Sequence, residues 1–226
     1  MFKQLLHCGC GSKVNKPPRE FAAYKETRLD INRGVDPDII SSVVAMPMVP
    51  DASYDSLFCS HTIEHLYAHE VAMALLEFHR VLKPEGTVWI QVPDLQSIGG
   101  KIALDMADSA VYMSANGPIT PLDMLYGQRS MIGQGNFYMA HKTGFTSSVL
   151  ERALYTAGFG QIKITRAPEF ELRGIASKGV ANAISQRSTA PVSVDEASGD
   201  SAEVGTRVSR SRQASEARQE VQTAAH

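Results

Sequence analysis

Residues 4–12 read Gln4-Leu5-Leu6-His7-Cys8-Gly9-Cys10-Gly11-Ser12, a short apolar run that passes directly into a Gly-x-Gly turn. An apolar strand ending in such a turn commonly holds a nucleotide-like ligand in an α/β fold. The physical reason is the missing Cβ: one glycine tolerates positive φ, and the second lets backbone N–H groups approach the ligand closely. Gly-x-Gly by itself occurs in many loops. Here it is followed by Thr27-Arg28-Leu29-Asp30-Ile31, a second strand-like run whose carboxylate has the spacing expected of a ribose-binding acid. The two together point to an adenosine-type ligand.

Outward from this start, strand-like and helix-like patterns alternate. Strands are expected at residues 4–8, 28–31, 42–45, 56–60 and 87–92. Between the last two, Val71, Leu75, Phe78 and Leu82 recur at helical spacing and predict an amphipathic helix over 69–82, stopped by Lys83-Pro84-Glu85-Gly86. Strands joined by helical crossovers imply a Rossmann-like, doubly wound, mostly parallel sheet with helices on both faces. Residues 95–146 read as an insertion, partly helical near 98–107 and then rich in Gly, Pro, Met and Tyr, placed where a lid or substrate loop belongs. A helix is expected at 147–157, followed by a final antiparallel pair at 161–165 and 169–173. The domain is expected to end near residue 184. From 186 to 226 the chain has no Leu, Ile, Met or aromatic residue, so residues 185–226 read as a disordered tail, with transient helix near 214–224.

Bulk composition narrows the function classes. A chain of 226 residues with 43% hydrophobic content suits one α/β domain and a tail. A net charge of −2 provides no electrostatic footprint for nucleic acid. No apolar run reaches the roughly 20 residues of a membrane span, and the first eight residues are too short an apolar stretch for a signal peptide. The three cysteines, Cys8, Cys10 and Cys59, match neither a disulfide framework nor a zinc pattern, and a reduced, cytoplasmic protein is expected. Nothing in these features sets an oligomeric state.

Four motifs in order carry a family resemblance: His7-Cys8-Gly9-Cys10-Gly11; Asp30; the run Pro50-Asp51-Ala52-Ser53-Tyr54-Asp55-Ser56-Leu57-Phe58-Cys59-Ser60-His61-Thr62-Ile63-Glu64-His65; and Phe78-His79-Arg80-Val81-Leu82-Lys83-Pro84-Glu85-Gly86. Over roughly residues 4–160 the chain resembles class I S-adenosylmethionine-dependent methyltransferases of the small methyltransferase-domain group. The resemblance implies S-adenosyl-L-methionine as cofactor. Its methionyl part would lie against the backbone of Cys8, Gly9, Cys10 and Gly11, and Asp30 would accept both ribose hydroxyls, with Ile31 and Ser60 beside it. A carboxylate can bind two vicinal hydroxyls in this bidentate way. Many relatives place an acid after the third strand to receive the adenine amino group. Val44-Ala45-Met46 stands there instead, so Met46 is expected to contact adenine. The helix that often precedes the first strand in this family is also not seen before Gln4.

Methyl transfer from a sulfonium is an in-line displacement in which the protein chiefly aligns the nucleophile and excludes water. An oxygen acceptor must also lose a proton, and histidine suits that task. His61, expected at the carboxyl end of the fourth strand, is the first candidate base, and His141 in the Gly133–Thr146 stretch the second. His65, Asp94 and Tyr138 are expected to line the substrate side. The acceptor is read as a small molecule, or a sugar or lipid precursor. The Asn-Pro-Pro-Tyr type of motif associated with amino methylation of nucleic acids or proteins is replaced by Ser60-His61. Two alternatives remain open at this level: a cofactor-binding but inactive interaction module, and a zinc hydrolase using His61-Thr62-Ile63-Glu64-His65 as H-x-x-E-H. No resident metal is expected on the methyltransferase reading.

Overall fold

In a computed structural model, which describes residues 2–114 and 117–179, the opening apolar run is strand β1 (Gln4–Cys8). It is followed by β2 (Lys25–Asp30), the two-residue β3 (Ile39–Ile40), β4 (Tyr54–Ser60), helix α1 (Ala68–Val81) and β5 (Leu82–Pro93). Next come α2 (Leu95–Ala103), the short antiparallel pair β6 (Tyr112–Ser114) and β7 (Gly117–Ile119), α3 (Pro121–Tyr126) and α4 (Arg129–Gly133). Helix α5 (Ser147–Thr156), β8 (Gly160–Ala167) and β9 (Glu171–Ser177) complete the described chain. The seven-stranded sheet has the order β3-β2-β1-β4-β5-β9-β8. Its first five strands are parallel, and β9 and β8 close it antiparallel.

Alternation along the strands distributes the core. Leu6 and Cys8 of β1, Leu57 and Cys59 of β4, and Val88 and Ile90 of β5 pack with Val71, Leu75 and Phe78 of α1 and Leu150 and Leu154 of α5. The alternate residues Leu5, Phe58 and Trp89 meet Phe21, from a 3₁₀ turn at Arg19–Phe21, and Tyr24. Helical cover is therefore uneven: α1 and α5 share the larger cluster, whereas a single turn and an aromatic cluster cover the other. α1 stops where predicted because Pro84 cannot continue a helix. β5 nevertheless pairs from Leu82 onward, with a register shift between Tyr54 and Ser56 and Glu85 at φ +63° absorbing the Pro-Glu-Gly residues.

The third strand differs from its expected place. Residues 42–45 form a turn closed by an isolated Ser42–Ala45 bridge, and pairing with β2 is confined to Ile39 and Ile40. A serine hydroxyl accounts for this: Ser41 Oγ donates to Ala45 O at 2.9 Å, which favours a local turn over the ladder. The tail assigned to residues 185–226 lies outside the described residues.

The segment after β5 builds a small cluster of its own from Ile98, Ile119 and Met124. Helix α3 begins with a capping box between Thr120 and Asp123 and with Pro121 in its first turn. The chain then returns to the sheet through backbone bonds, with His141 N–H donating to Tyr126 O and Lys142 N–H to Glu64 O at 2.8 Å. Gly127 makes the return possible. At φ +93° it lies so close to Met139 that an added Cβ would stand 1.8 Å from the carbonyl oxygen.

Candidate active site

The carboxyl ends of β1, β2 and β4 open into a cavity of about 1450 Å³. Typical ligand pockets enclose about 300–1,000 Å³, so this one has room for two ligands side by side. One end is the glycine turn. Gly9 has φ +62°, and a Cβ there would lie 2.0 Å from Thr62 Oγ1, so any other residue would be strained and would push the Thr62 side chain aside. The N–H of Gly11 donates to Asp30 Oδ2 and that of Asn32 to Oδ1, both at 2.8 Å. Asp30 is thereby fixed at the cavity wall, and each oxygen keeps a lone pair for a ligand hydroxyl. Gly9, Cys10, Gly11, Ile31 and Ser60 also line the cavity.

A residue that sequence reasoning missed holds this turn in shape. Arg28, nearly buried on β2, donates through one terminal nitrogen to Gly11 O at 2.8 Å, Ser12 O at 3.0 Å and Cys10 O at 3.3 Å, and through the other to Asn15 O at 3.3 Å. A planar guanidinium can serve several carbonyls of a curled loop at once. Its strand position two residues before Asp30 was the available signal.

Three expected contacts are corrected. Met46 is 0% exposed in the core, strapped there by Glu77 Oε2 on its N–H at 2.6 Å and by Arg80 on its carbonyl at 3.0 Å. Ser42, Val43 and Val44 face the cavity in its place. Cys8, expected to meet the cofactor through its backbone, is not among the residues that line the cavity: it is wholly buried with its side chain in the core, and the lining passes from His7 to Gly9. Burial pushes its thiol pKa up, and that of Cys59 to about 12. Asp94 is 0% exposed and caps α2 through Gln96 N–H, while accepting from Ser97 Oγ at 2.6 Å and Arg166 Nε at 2.8 Å. It is a structural anchor.

At the other end of the cavity stand His61, Glu64, His65, Tyr138 and His141. His61 follows β4 directly with φ +47°, and its half-exposed ring lies between two carboxylates. Nδ1 is 3.2 Å from Glu64 Oε1, and Nε2 is 3.4 Å from Glu171 Oε2. Desolvation works to lower the His61 pKa, but the hydrogen bonds and charges of Glu171 and Glu64 outweigh it and raise the pKa to about 10. His61 is then an imidazolium at neutral pH with no free lone pair, which does not suit the base expected from its position. Desolvation likewise works to raise Glu64's pKa, and the bond from His61 with the nearby His65 and His141 keeps it lowered. His141 has its pKa lowered, by burial first, and donates Nδ1–H to Met124 O at 2.8 Å. His65 donates Nδ1–H to Ala140 O at 3.1 Å, and the two rings meet edge to face with centroids 4.9 Å apart. Tyr138 is largely exposed at the rim. The H-x-x-E-H run does not form a helical zinc pair, because Ile63–His65 is a 3₁₀ turn and His61 turns toward Glu171.

The sequence model described as "Methyltransferase domain" matches residues 6–90, from β1 to β5, and so contains the glycine turn, Asp30 and the β4 exit. Residues 6–90 thus match a methyltransferase domain, set on the Rossmann-like sheet described above. The cofactor of such a domain is S-adenosyl-L-methionine, and the doubly anchored Asp30, with an acceptor lone pair left on each oxygen beside the glycine turn, fits its ribose hydroxyls. No curated protein sequence matches the chain. Among solved structures it is similar to an S-adenosylmethionine-dependent methyltransferase from Thermotoga maritima, described as a possible histamine N-methyltransferase. That match has 14% identity and TM-score 0.51, covering 77% of this chain and 81% of that one. A methyltransferase from Methanosarcina mazei matches at 17% identity and TM-score 0.51, over 79% of this chain and 93% of the other. Human N-acetylserotonin methyltransferase, crystallised with S-adenosylmethionine, matches at 14% identity and TM-score 0.52, over 79% and 48% of the two chains. At such identities these likenesses concern the fold.

The glycine turn and the histidine-lined end share one cavity wall, through Ser60, His61 and Thr62. Glu171, on β9, is the second residue that sequence reasoning missed. It reaches the site only because β9 pairs antiparallel with β5, a long-range register that no local pattern encodes. Among the described residues no helix is long and apolar enough to cross a membrane.

Proposed function

We propose that this methyltransferase acts on a small-molecule acceptor held in the half of the cavity bounded by His65, Tyr138 and His141, and that it works in the cytoplasm. When bound, S-adenosylmethionine supplies a methyl group already activated on a sulfonium. The chain's own residues then have three tasks. The turn at Gly9–Gly11 and the carboxylate of Asp30 bind and orient the cofactor. Residues 95–146 act as the lid that excludes water from the acceptor half. His141 meets the reacting atom of the acceptor, with His65 and Tyr138 positioning the remainder. His61 acts indirectly, as the cation that keeps Glu64 and Glu171 side by side.

One observation carries this reading: a single cavity joins the glycine turn to the His65–His141 pair, with the return segment as its far wall. Its size supports a compact acceptor beside the cofactor, and the net charge of −2 gives no footprint for nucleic acid. Three free cysteines agree with a reducing compartment. Calorimetry with S-adenosylmethionine and its demethylated product tests the cofactor half, and a screen of small hydroxylated, amino and thiol acceptors with detection of that product tests the rest. Tight cofactor binding with turnover on a small acceptor is the expected result. Turnover confined to a protein or RNA would overturn the acceptor class.

A further inference from the structure

Glu64, His65 and His141 form a cluster that the binding of cofactor does not require. One ligand-type atom from each lies within 4.8 Å of the others, and all three side chains line the cavity. Glu64 is 1% exposed, yet its Oε2 has no hydrogen-bond partner among the described residues. A buried carboxylate oxygen left without a partner is costly, so a native site normally supplies one. Its other oxygen is already engaged by His61 Nδ1, which leaves Oε2 as the atom free for a ligand.

The two histidines are prepared in a matching way. Each commits Nδ1–H to a main-chain carbonyl, His65 to Ala140 and His141 to Met124, so that each Nε2 carries an unshared lone pair. Metal-ligating histidines are oriented by this kind of second hydrogen bond, which fixes the tautomer and directs the other nitrogen at the ion. Backbone bonds hold the set together as well, since Lys142 and Thr143 N–H both donate to Glu64 O, at 2.8 and 3.2 Å. Two imidazoles and one carboxylate form a donor set suited to a divalent transition metal with at least one position left open. Bonds of about 2.0–2.2 Å place tetrahedral ligand atoms roughly 3.5 Å apart, so side-chain shifts of about 1 Å bring the three groups around an ion.

We propose that Glu64 Oε2, His65 Nε2 and His141 Nε2 bind a divalent transition-metal ion of the zinc class, with its open position toward the acceptor half of the cavity. The ligand set differs from the H-x-x-E-H reading of the sequence, since His61 is excluded and His141 comes from the return segment. Its use in catalysis rests on the methyl-transfer reading above. With the ion in place, His65 and His141 act on the acceptor through it: an acceptor oxygen bound at the open position would release its proton to water, then form the new C–O bond as the methyl–sulfur bond breaks and its electron pair stays on sulfur.

The test takes the full chain, stripped with a chelator, and titrates it with Zn²⁺ by calorimetry and with Co²⁺ by visible absorption. The expected result is one ion per chain in the parent, with affinity weakened roughly 100-fold or more in Glu64→Gln and in His141→Ala. His69→Ala, at an exposed histidine, should bind as the parent does. Circular dichroism of each variant shows whether it is folded, and His65→Ala replaces either one that is not. A parent that binds no zinc, or zinc binding that survives both substitutions in folded protein, overturns the site. S-adenosylmethionine calorimetry on the same samples separates the two readings. Zinc binding without cofactor binding sinks the functional reading and keeps the metal site, and the converse does the opposite.

Discussion

Replacing Arg28 by lysine tests whether the cofactor turn is held by the guanidinium fork or by the glycines alone. The two shortest bonds from Arg28 go to Gly11 O and Ser12 O, at 2.8 and 3.0 Å, and the longer ones to Cys10 O and Asn15 O, at 3.3 Å. A charged donor to a carbonyl is worth about 1.5–3 kcal/mol. Both short bonds leave one terminal nitrogen, and a lysine Nζ ends one bond short of it, where Cζ stands, so lysine keeps the charge but can approach only one of the two carbonyls and releases the Asn15 contact made by the other nitrogen. The loss is therefore about 1.5–3 kcal/mol. For a chain of this size each kcal/mol moves Tm by about 2–4 °C, which gives a drop of roughly 3–12 °C. A loosened turn must also be reordered when cofactor binds, and if that ordering absorbs most of the same energy, affinity falls about tenfold to a hundredfold. Thermal unfolding and calorimetry with S-adenosylmethionine read the two quantities separately. A lower Tm with unchanged affinity would show that Arg28 supports the fold without shaping the cofactor site. If neither quantity moves, the hydrogen-bond argument itself is wrong.

Three further outcomes follow from named contacts. Asp30→Asn keeps an oxygen for one backbone N–H but presents a donor where a ribose hydroxyl needs an acceptor, so S-adenosylmethionine should bind about tenfold to a hundredfold more weakly; equal affinity in calorimetry would remove Asp30 from the site. His7, buried beside Phe58 with Nδ1 2.7 Å from Glu26, has its pKa lowered, by burial above all. The unfolded chain then takes up the proton first, so His7 contributes full stability above its ordinary value near 6.5 and loses it as pH falls through the lowered folded value; Tm of the parent should therefore drop relative to His7→Gln below about pH 6.5, and parallel Tm curves would contradict this. Gly127→Ala places a Cβ against Met139 O at a positive φ and should cost more than about 1 kcal/mol. The same variant should raise the acceptor KM while S-adenosylmethionine affinity stays near normal, and an unaltered KM would mean that the return segment does not bound the acceptor.

Much of the fold was legible because the deciding signals are local. Leu5, Leu6 and the following glycines define a strand and its turn, and Val71, Leu75 and Phe78 lie one helical turn apart and are all buried. Pro84 and Gly86 place the end of α1 to within one residue of its observed position. The third strand was misplaced because Val43 and Val44 have strand-like side chains, while the hydroxyl of Ser41 and its bond to Ala45 O decide the backbone. Asp94 and Met46 stand at plausible positions along the chain, but their side chains are directed by Arg166 and by Glu77 with Arg80, all distant in sequence. Asp30 was readable for the opposite reason. Its position follows from β2 alone, and its two partners are backbone groups of adjacent turns.

The run from Ser60 to His65 shows why a motif can name the right residues and still misstate their arrangement. On an α-helix His61 and His65 would share a face, four residues apart, and their side chains would converge. The chain leaves β4 with His61 at φ +47° and then makes only a 3₁₀ turn at Ile63–His65. That backbone sends the two histidines to different partners, His61 to Glu171 on β9 and His65 to His141 on the return segment. Glu64 stands between them and is held from both sides, its Oε1 by His61 and its carbonyl by the N–H groups of Lys142 and Thr143. The end of β4 thus meets the last strand through the Glu64 carboxylate and His61, and meets the far wall of the cavity through the Glu64 main chain. A substitution of the Glu64 side chain acts on the first link and leaves the carbonyl bonds of the second in place, so the two sides can be read separately.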